Sequence, residues 1–235
     1  MTDSHTATEH RPELLHHFAD EEQQKNSASL GMWLFLGTEI MFFGGMFLAY
    51  LVYRLNYFTD FAAASSSIAV LPGAINTAVL LCSSLTVVLA LRAAQMGNRK
   101  LLIIMLILTL IFGLAFLGIK GYEWHEKYVE HHVPGHFMGR DFNVDDLARE
   151  HPKVHIQPEH AQIFFALYFI MTGIHALHMV VGVGIFLWLI YKAWKDEFGP
   201  KYYTPVEIGG LYWHFVDVVW IYLFPLFYLI DRKPF

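Results

Sequence analysis

The sequence predicts an all-α membrane protein, a bundle of five transmembrane helices, and three observations carry that expectation. Apolar residues make up 55% of the 235-residue chain and charged ones only 16%, a balance shifted away from that of soluble domains. Five stretches are apolar over about 20 residues, the length that crosses ~30 Å of hydrocarbon. Between them only one connection is long, so little chain remains for a soluble domain.

Taken in order, residues 1–29 form a polar, acidic tail, and residues 30–235 form the five-helix domain. The tail has neither the apolar core nor the small-residue cleavage site of a secretory signal, so the first span, 30–53, is expected to act as its own insertion signal. A small-residue loop, "NYFTDFAAASSSIAV", then ends at Pro72-Gly73. Proline is tolerated in the first turn of a helix, which marks the start of the second span, 72–94. The turn "QMGNRK" is too short for anything but an antiparallel hairpin with the third span, 101–119. The connection 120–160 is aromatic, histidine-rich and charged, and is expected to form a partly ordered cap on the outer face. Spans 162–191 and 208–230 complete the bundle.

Orientation follows from the basic residues. With the N-terminus inside and the C-terminus outside, Arg11, Lys25, Arg92, Arg99, Lys100, Lys192, Lys195 and Lys201 lie on the cytoplasmic side, while the short outer segments keep Arg54, Arg232 and Lys233. The outer loop adds Lys120, Lys127, Arg140, Arg149 and Lys153, which levels the count. The net charge of −5 is spread over tail and loops, with no basic patch suited to nucleic acid. The single cysteine, Cys82, falls in the second span and is expected to be an inert packing residue.

Polar residues inside the spans are the candidate functional groups. Glu39 lies ~14 Å into the first span at 1.5 Å per residue. An acid at that depth is costly, so it should face protein or water and mark a function. In the fourth span, "TGIHALHMVVG" places Thr172, His175, His178 and Gly182 on one helical face, which in lipid must look inward. In the fifth, Glu207, Gly210, His214 and Asp217 fall within an arc of about 80°, beside a strip of Trp213, Trp220 and Phe224. Counted from equal starting levels, Asp217 and Glu39 reach comparable depth, which allows a shared hydrogen-bonded site. Pro225 should bend the last helix near its outer end.

A haem or metal held by these histidines does not follow from their levels. His214 lies ~9 Å from the inner face and His178 ~20 Å, with His175 deeper still, so no two face each other as axial ligands. Histidines at i and i+3 need further ligands from other helices to complete a metal site. The loop histidines His125, His131, His132, His136, His151, His155 and His160 are irregularly spaced and carry no assignment.

The segments "WLFLGTEIMFFGGMF", "TGIHALHMVVG" and "LYWHFVDVVWIYLFPLFY", in that order, resemble subunit III of the haem-copper oxidases, the cytochrome c oxidase subunit 3 family, in its short five-helix form. The likeness covers residues 30 to 232, and "YWHFVDVVW" is its most specific part. It implies an accessory core subunit of a proton-pumping terminal oxidase that reduces oxygen to water, in a bacterial inner (plasma) membrane. This chain would be non-catalytic, with no catalytic, cofactor-binding or metal-binding residue; haem and copper would belong to the partner subunits I and II. Its role would be to pack on subunit I, hold phospholipids in a cleft between helices and support proton uptake. Glu39 matches the family's buried glutamate, which reacts with a hydrophobic carbodiimide, and would sit in the lipid cleft. Thr172, His175, His178, Glu207, Trp213, His214 and Asp217 would form an interhelical polar network. Longer members have seven helices; the missing pair would come from a small subunit or from an extension of subunit I. Cytochrome c or a quinol would be the electron donor.

Rival readings are the homologous accessory subunit of a nitric oxide reductase, a proton-coupled transporter using Glu39 and Asp217 as a relay, and a free-standing membrane cytochrome. The transporter predicts an internal repeat and broken helices, which the sequence does not carry.

Overall fold

The computed structural model describes residues 18–135, 142–143, 145–150 and 156–230. Among them lie seven helices, of which five are long and apolar enough to cross a membrane. Helix α1, Glu21–Asn56, begins nine residues before the expected span, because Asp20 caps it by accepting from the Gln23 amide at 2.6 Å and Glu21 and Glu22 suit the positive end of its dipole. A short helix, α2, Phe58–Ser66, then occupies the small-residue loop. Its Ala62, Ala63 and Ala64 are fully buried, since only small side chains let it tuck this closely under the end of the bundle, and the Ser65 hydroxyl donates to the Phe227 carbonyl at 2.7 Å.

Helices α3, Val70–Gln95, and α4, Arg99–Val129, form the expected hairpin. Gly97 takes a left-handed φ of 70° at the turn, and Asn98 caps α4 by accepting from the Leu101 amide at 3.1 Å. Partway along the hairpin, Thr86 and Thr109 share a hydrogen bond of 2.7 Å. Helix α4 outruns the expected third span by ten residues, so the start of the 120–160 connection is helix rather than loop. After α5, Asp145–Glu150, the chain returns through α6, Pro158–Trp194, and α7, Thr204–Tyr228. Arg11, His136, Arg140, His151, Lys153, His155, Arg232 and Lys233 lie outside the described residues.

Helices α1, α4 and α7 run one way and α3 and α6 the other. The end carrying the start of α1, the α3–α4 turn and the α6–α7 connection is called the N-side here, and the opposite end the C-side. Helix α7 is the centre: half of its apolar window is buried, against 17% for α1 at the periphery. Trp213 of α7 is fully buried between two glycines, Gly113 of α4 and Gly182 of α6. A Cβ at either would stand 2.7 or 2.8 Å from its indole ring, so these glycines set how closely three helices approach. Cys82 is exposed on the outward face of α3 rather than packed inside.

Candidate functional site

Glu39 of α1 and His178 of α6 meet inside the apolar span. Glu39 Oε2 lies 3.2 Å from His178 Nε2, with the two side chains 18% and 16% exposed. The angle of this contact falls short of a hydrogen bond. The other ring nitrogen, Nδ1, stands 2.8 Å from the Ile174 carbonyl, which can only accept, so Nδ1 carries a hydrogen. Phe43, itself buried, packs edge-on against His178 at 5.4 Å. Tyr212 of α7 donates to the His178 carbonyl at 2.9 Å and stacks on Phe35 at 5.9 Å.

From Tyr212 toward the N-side, α1 stands away from α6 and α7 and leaves a cleft of about 1170 Å³. Its walls are apolar, with Met32, Val181, Ile185, Trp188, Ile208 and Tyr212 among them; its mouth carries Glu21, Glu22, Lys25 and Lys201. Lys25 Nζ lies 3.8 Å from Glu207 Oε2 and 3.5 Å from the Tyr203 hydroxyl, bridging the mouth. A long apolar slot with a charged rim suits an amphiphile whose chain fills the slot and whose headgroup meets the rim. Glu39 does not line this space; it stands beyond Tyr212 at the closed end.

The remaining sequence-predicted residues separate into distinct places. Glu39 and Asp217 do not share a site: α7 turns Tyr212 and Phe215 toward α1, whereas Asp217 is buried beside Ser84 of α3. Ser84 Oγ in turn lies 2.7 Å from His214 Nδ1. Trp213 donates to Ser83 Oγ at 2.5 Å. His175 is buried against Phe116 and Trp220 and makes no hydrogen bond among the described residues. Thr172 donates to the Tyr168 carbonyl of its own helix at 2.6 Å, and Glu207 belongs to the mouth of the cleft. The helical spacing that groups these residues on one face of α6 or α7 is correct; the neighbours they meet differ from turn to turn.

Sequence reasoning missed a buried polar cluster that joins three helices. At the C-side end, Lys120 Nζ donates to Glu123 Oε1 at 3.0 Å, to the Tyr168 hydroxyl at 2.9 Å and to the Tyr228 hydroxyl at 2.6 Å. Tyr228 donates to the same Glu123 oxygen at 2.5 Å, and Tyr168 does so as well. All three ammonium hydrogens are engaged, and lysine and glutamate are each 2% exposed. The signal was present in the spacing. Leu102, Leu106, Thr109, Gly113, Phe116, Lys120, Glu123 and Lys127, all buried, alternate by four and three along α4, so the inward stripe continues unbroken into charged residues. Of the loop histidines, His160 pairs with Asp60 at 2.6 Å and stacks on Tyr57, and His132 stacks on Phe165.

The family model for cytochrome c oxidase subunit III matches residues 16–133 and 159–231, most of the chain. The chain belongs to the cytochrome c oxidase subunit III family. Among its relatives, the cytochrome c oxidase subunit 3 of Alkalihalophilus pseudofirmus is 31% identical over 86% of this chain and 85% of that one. A probable cytochrome c oxidase subunit 3 of Nocardia farcinica is 28% identical over 87% and 89%. A haem-copper oxidase subunit I+III of Aeropyrum pernix is 27% identical, the match covering 88% of this chain and 23% of that longer one. As a subunit III the chain is an accessory, multi-pass membrane component of an oxidoreductase complex. The family match passes over residues 134–158, within the long connection between α4 and α6.

Proposed function

We propose that this subunit III is non-catalytic and serves a proton-pumping oxidase by packing on subunit I, holding phospholipid between α1 and the α6–α7 pair, and supporting proton uptake. Haem and copper are assigned to subunits I and II, and cytochrome c or a quinol delivers the electrons. The observation that carries this reading is the apolar cleft with its charged mouth, closed at its inner end by the Tyr212 ring beside the Glu39–His178 pair. The slot fits an acyl chain, and Lys25 and Lys201 supply cations for an anionic headgroup. The N-side then faces the cytoplasm of a bacterial plasma membrane, with the basic residues Arg92, Arg99, Lys100, Lys192, Lys195 and Lys201 there. Residues 1–29 act as a polar tail to the five-helix domain, and a small subunit or an extension of subunit I is a further helical partner.

Glu39 marks the buried protonatable site of this arrangement, and of the interhelical polar residues, His178, Glu207, Trp213 and His214 meet side chains of other helices and hold α6 and α7 to their neighbours, while Thr172, His175 and Asp217 pack between them. The test is Glu39→Ala in the intact complex. Loss of labelling by a hydrophobic carbodiimide together with faster inactivation during turnover supports the assignment. Unchanged labelling and unchanged turnover lifetime contradict it.

A further inference from the structure

Helices α3, α4 and α6 each turn an unpartnered polar group toward the same stretch of α7, between Trp220 and Tyr228. From α3 comes Asn76, 0% exposed, whose amide oxygen and nitrogen both lack a hydrogen-bond partner among the described residues. Its place follows from its neighbours. Gly73, a turn before it, packs against the Tyr228 ring, and Thr77 accepts from the Trp220 indole at 3.1 Å. From α6 comes His175, 1% exposed and 5.3 Å from the Trp220 ring, with neither nitrogen bonded among the described residues. From α4 comes Glu123, whose Oε1 takes the bonds of the Lys120 cluster while its buried Oε2 takes none. Lys120 Nζ stands 5.2 Å from the centre of the Trp220 ring, so this indole touches both the cluster and the imidazole.

Bare polar atoms in a core are costly, because each gave up bonds to water when the chain folded. The edge-on Phe116 ring can receive one N–H of His175 at most, which leaves the other nitrogen unmet. Whatever satisfies these atoms must be small, since Asn76 and His175 are sealed from any lipid headgroup or neighbouring chain. It must also both donate and accept: the amide presents one group of each kind, and so does a neutral imidazole. A cation would meet only the acceptors and an anion only the donors. Among the described residues no cluster of His, Cys, Asp and Glu gathers there to hold a metal. We infer that this stretch of the core is a binding site for internal water, held by Asn76, His175 and Glu123 Oε2 and extending the Lys120–Glu123 network inward from the C-side end. The water completes the solvation of a buried ion pair whose second carboxylate oxygen has no protein donor among the described residues. The neighbouring layer of α7 is dry by the same reasoning. Trp213, about two turns earlier, places its one donor on Ser83 and is flanked by Gly113 and Gly182.

The test compares Trp220 with Trp213, which share a helix and are both 0% exposed. The chain is purified gently through a tag, with the partners it retains, and receives brief X-ray pulses that turn bound water into hydroxyl radical. Oxidised side chains are then located by mass spectrometry. Trp220 should be oxidised several times faster than Trp213. Equal oxidation of the two, whether low or high, overturns the inference. A second arm measures the thermal midpoint of a double variant, Asn76→Leu with His175→Phe. Apolar replacement of dry, unbonded polar atoms relieves their desolvation and raises the midpoint, whereas replacement of water-bonded ones gives no gain. The expected result is an unchanged or lower midpoint, with Trp220 oxidation falling to the level of Trp213. A higher midpoint, or Trp220 oxidation that persists in the variant, overturns the inference. If the variant does not assemble, the two tryptophans of the unsubstituted protein decide alone.

Discussion

At its C-side end the bundle is tied together by buried polar groups, while at its N-side end the same helices part around an open cleft. The closed end joins α4, α6 and α7 through Lys120, Glu123, Tyr168 and Tyr228 and ties in α1, whose Tyr50 hydroxyl donates to the Leu226 carbonyl. Lys127 adds a 2.7 Å bond to the Ser67 carbonyl beyond α2. At the open end α1 meets its neighbours through the Phe35–Tyr212 stack and the loose Lys25–Glu207 bridge. The contrast shows how a bundle can be tied firmly at one end and stand open between its helices at the other. A dense polar network in a low-dielectric setting fixes one end, and the walls at the other are apolar and open. Helix α1 is tied most firmly at its C-side end, and Glu39–His178 lies between that end and the cleft.

The largest effect is expected from breaking the closed end. Glu123→Ala leaves a buried ammonium without its counter-ion and should cost about 3–5 kcal/mol, read as a lower thermal midpoint of the purified complex. Joint replacement, Lys120→Met with Glu123→Leu, removes both charges and should be far milder, because a buried pair is often matched by apolar residues of similar volume. Equal losses from the two variants would mean that charge pairing is not what holds this end. Between the halves, Gly182→Val drives a side chain against the Trp213 ring and should cost about 1–3 kcal/mol by overpacking, seen in the same melting experiment. Tyr50→Phe removes one hydrogen bond at the C-side end of α1, worth about 1 kcal/mol. Smallest of all in stability is Lys25→Ala: its exposed bridge contributes about 1 kcal/mol at most. It should nonetheless lower the anionic phospholipid recovered with the complex, measured by lipid extraction and mass spectrometry, and unchanged lipid content would remove the headgroup role from the mouth of the cleft.

Much of this architecture was legible in the sequence because the bilayer imposes a simple rule. Five apolar runs gave five long helices, Gly97 and Asn98 punctuated the hairpin, and the inward placement of Gly182 followed from its spacing with Thr172 and His175. The charged continuation of α4 was hidden by the same rule. Lys120, Glu123 and Lys127 read as loop when apolarity is the criterion, and as helix when the four-and-three spacing is followed past Phe116. The pairing of Glu39 was also misread. Depth counted along the chain brings Asp217 level with it, but Asp217 lies about 180° around α7 from the Tyr212–Phe215 strip that faces α1, at 3.6 residues per turn. Depth selects candidates, and azimuth decides which of them meet. Cys82 shows the converse, since an apolar span says nothing about which of its residues face outward.

Membership in a multisubunit oxidase is tested most directly by gentle purification through a tag on this chain, followed by a visible absorption spectrum of the eluate. Haem bands together with copper and a large helical partner subunit are the expected result. A colourless preparation containing this chain alone, stable without partners, would contradict it.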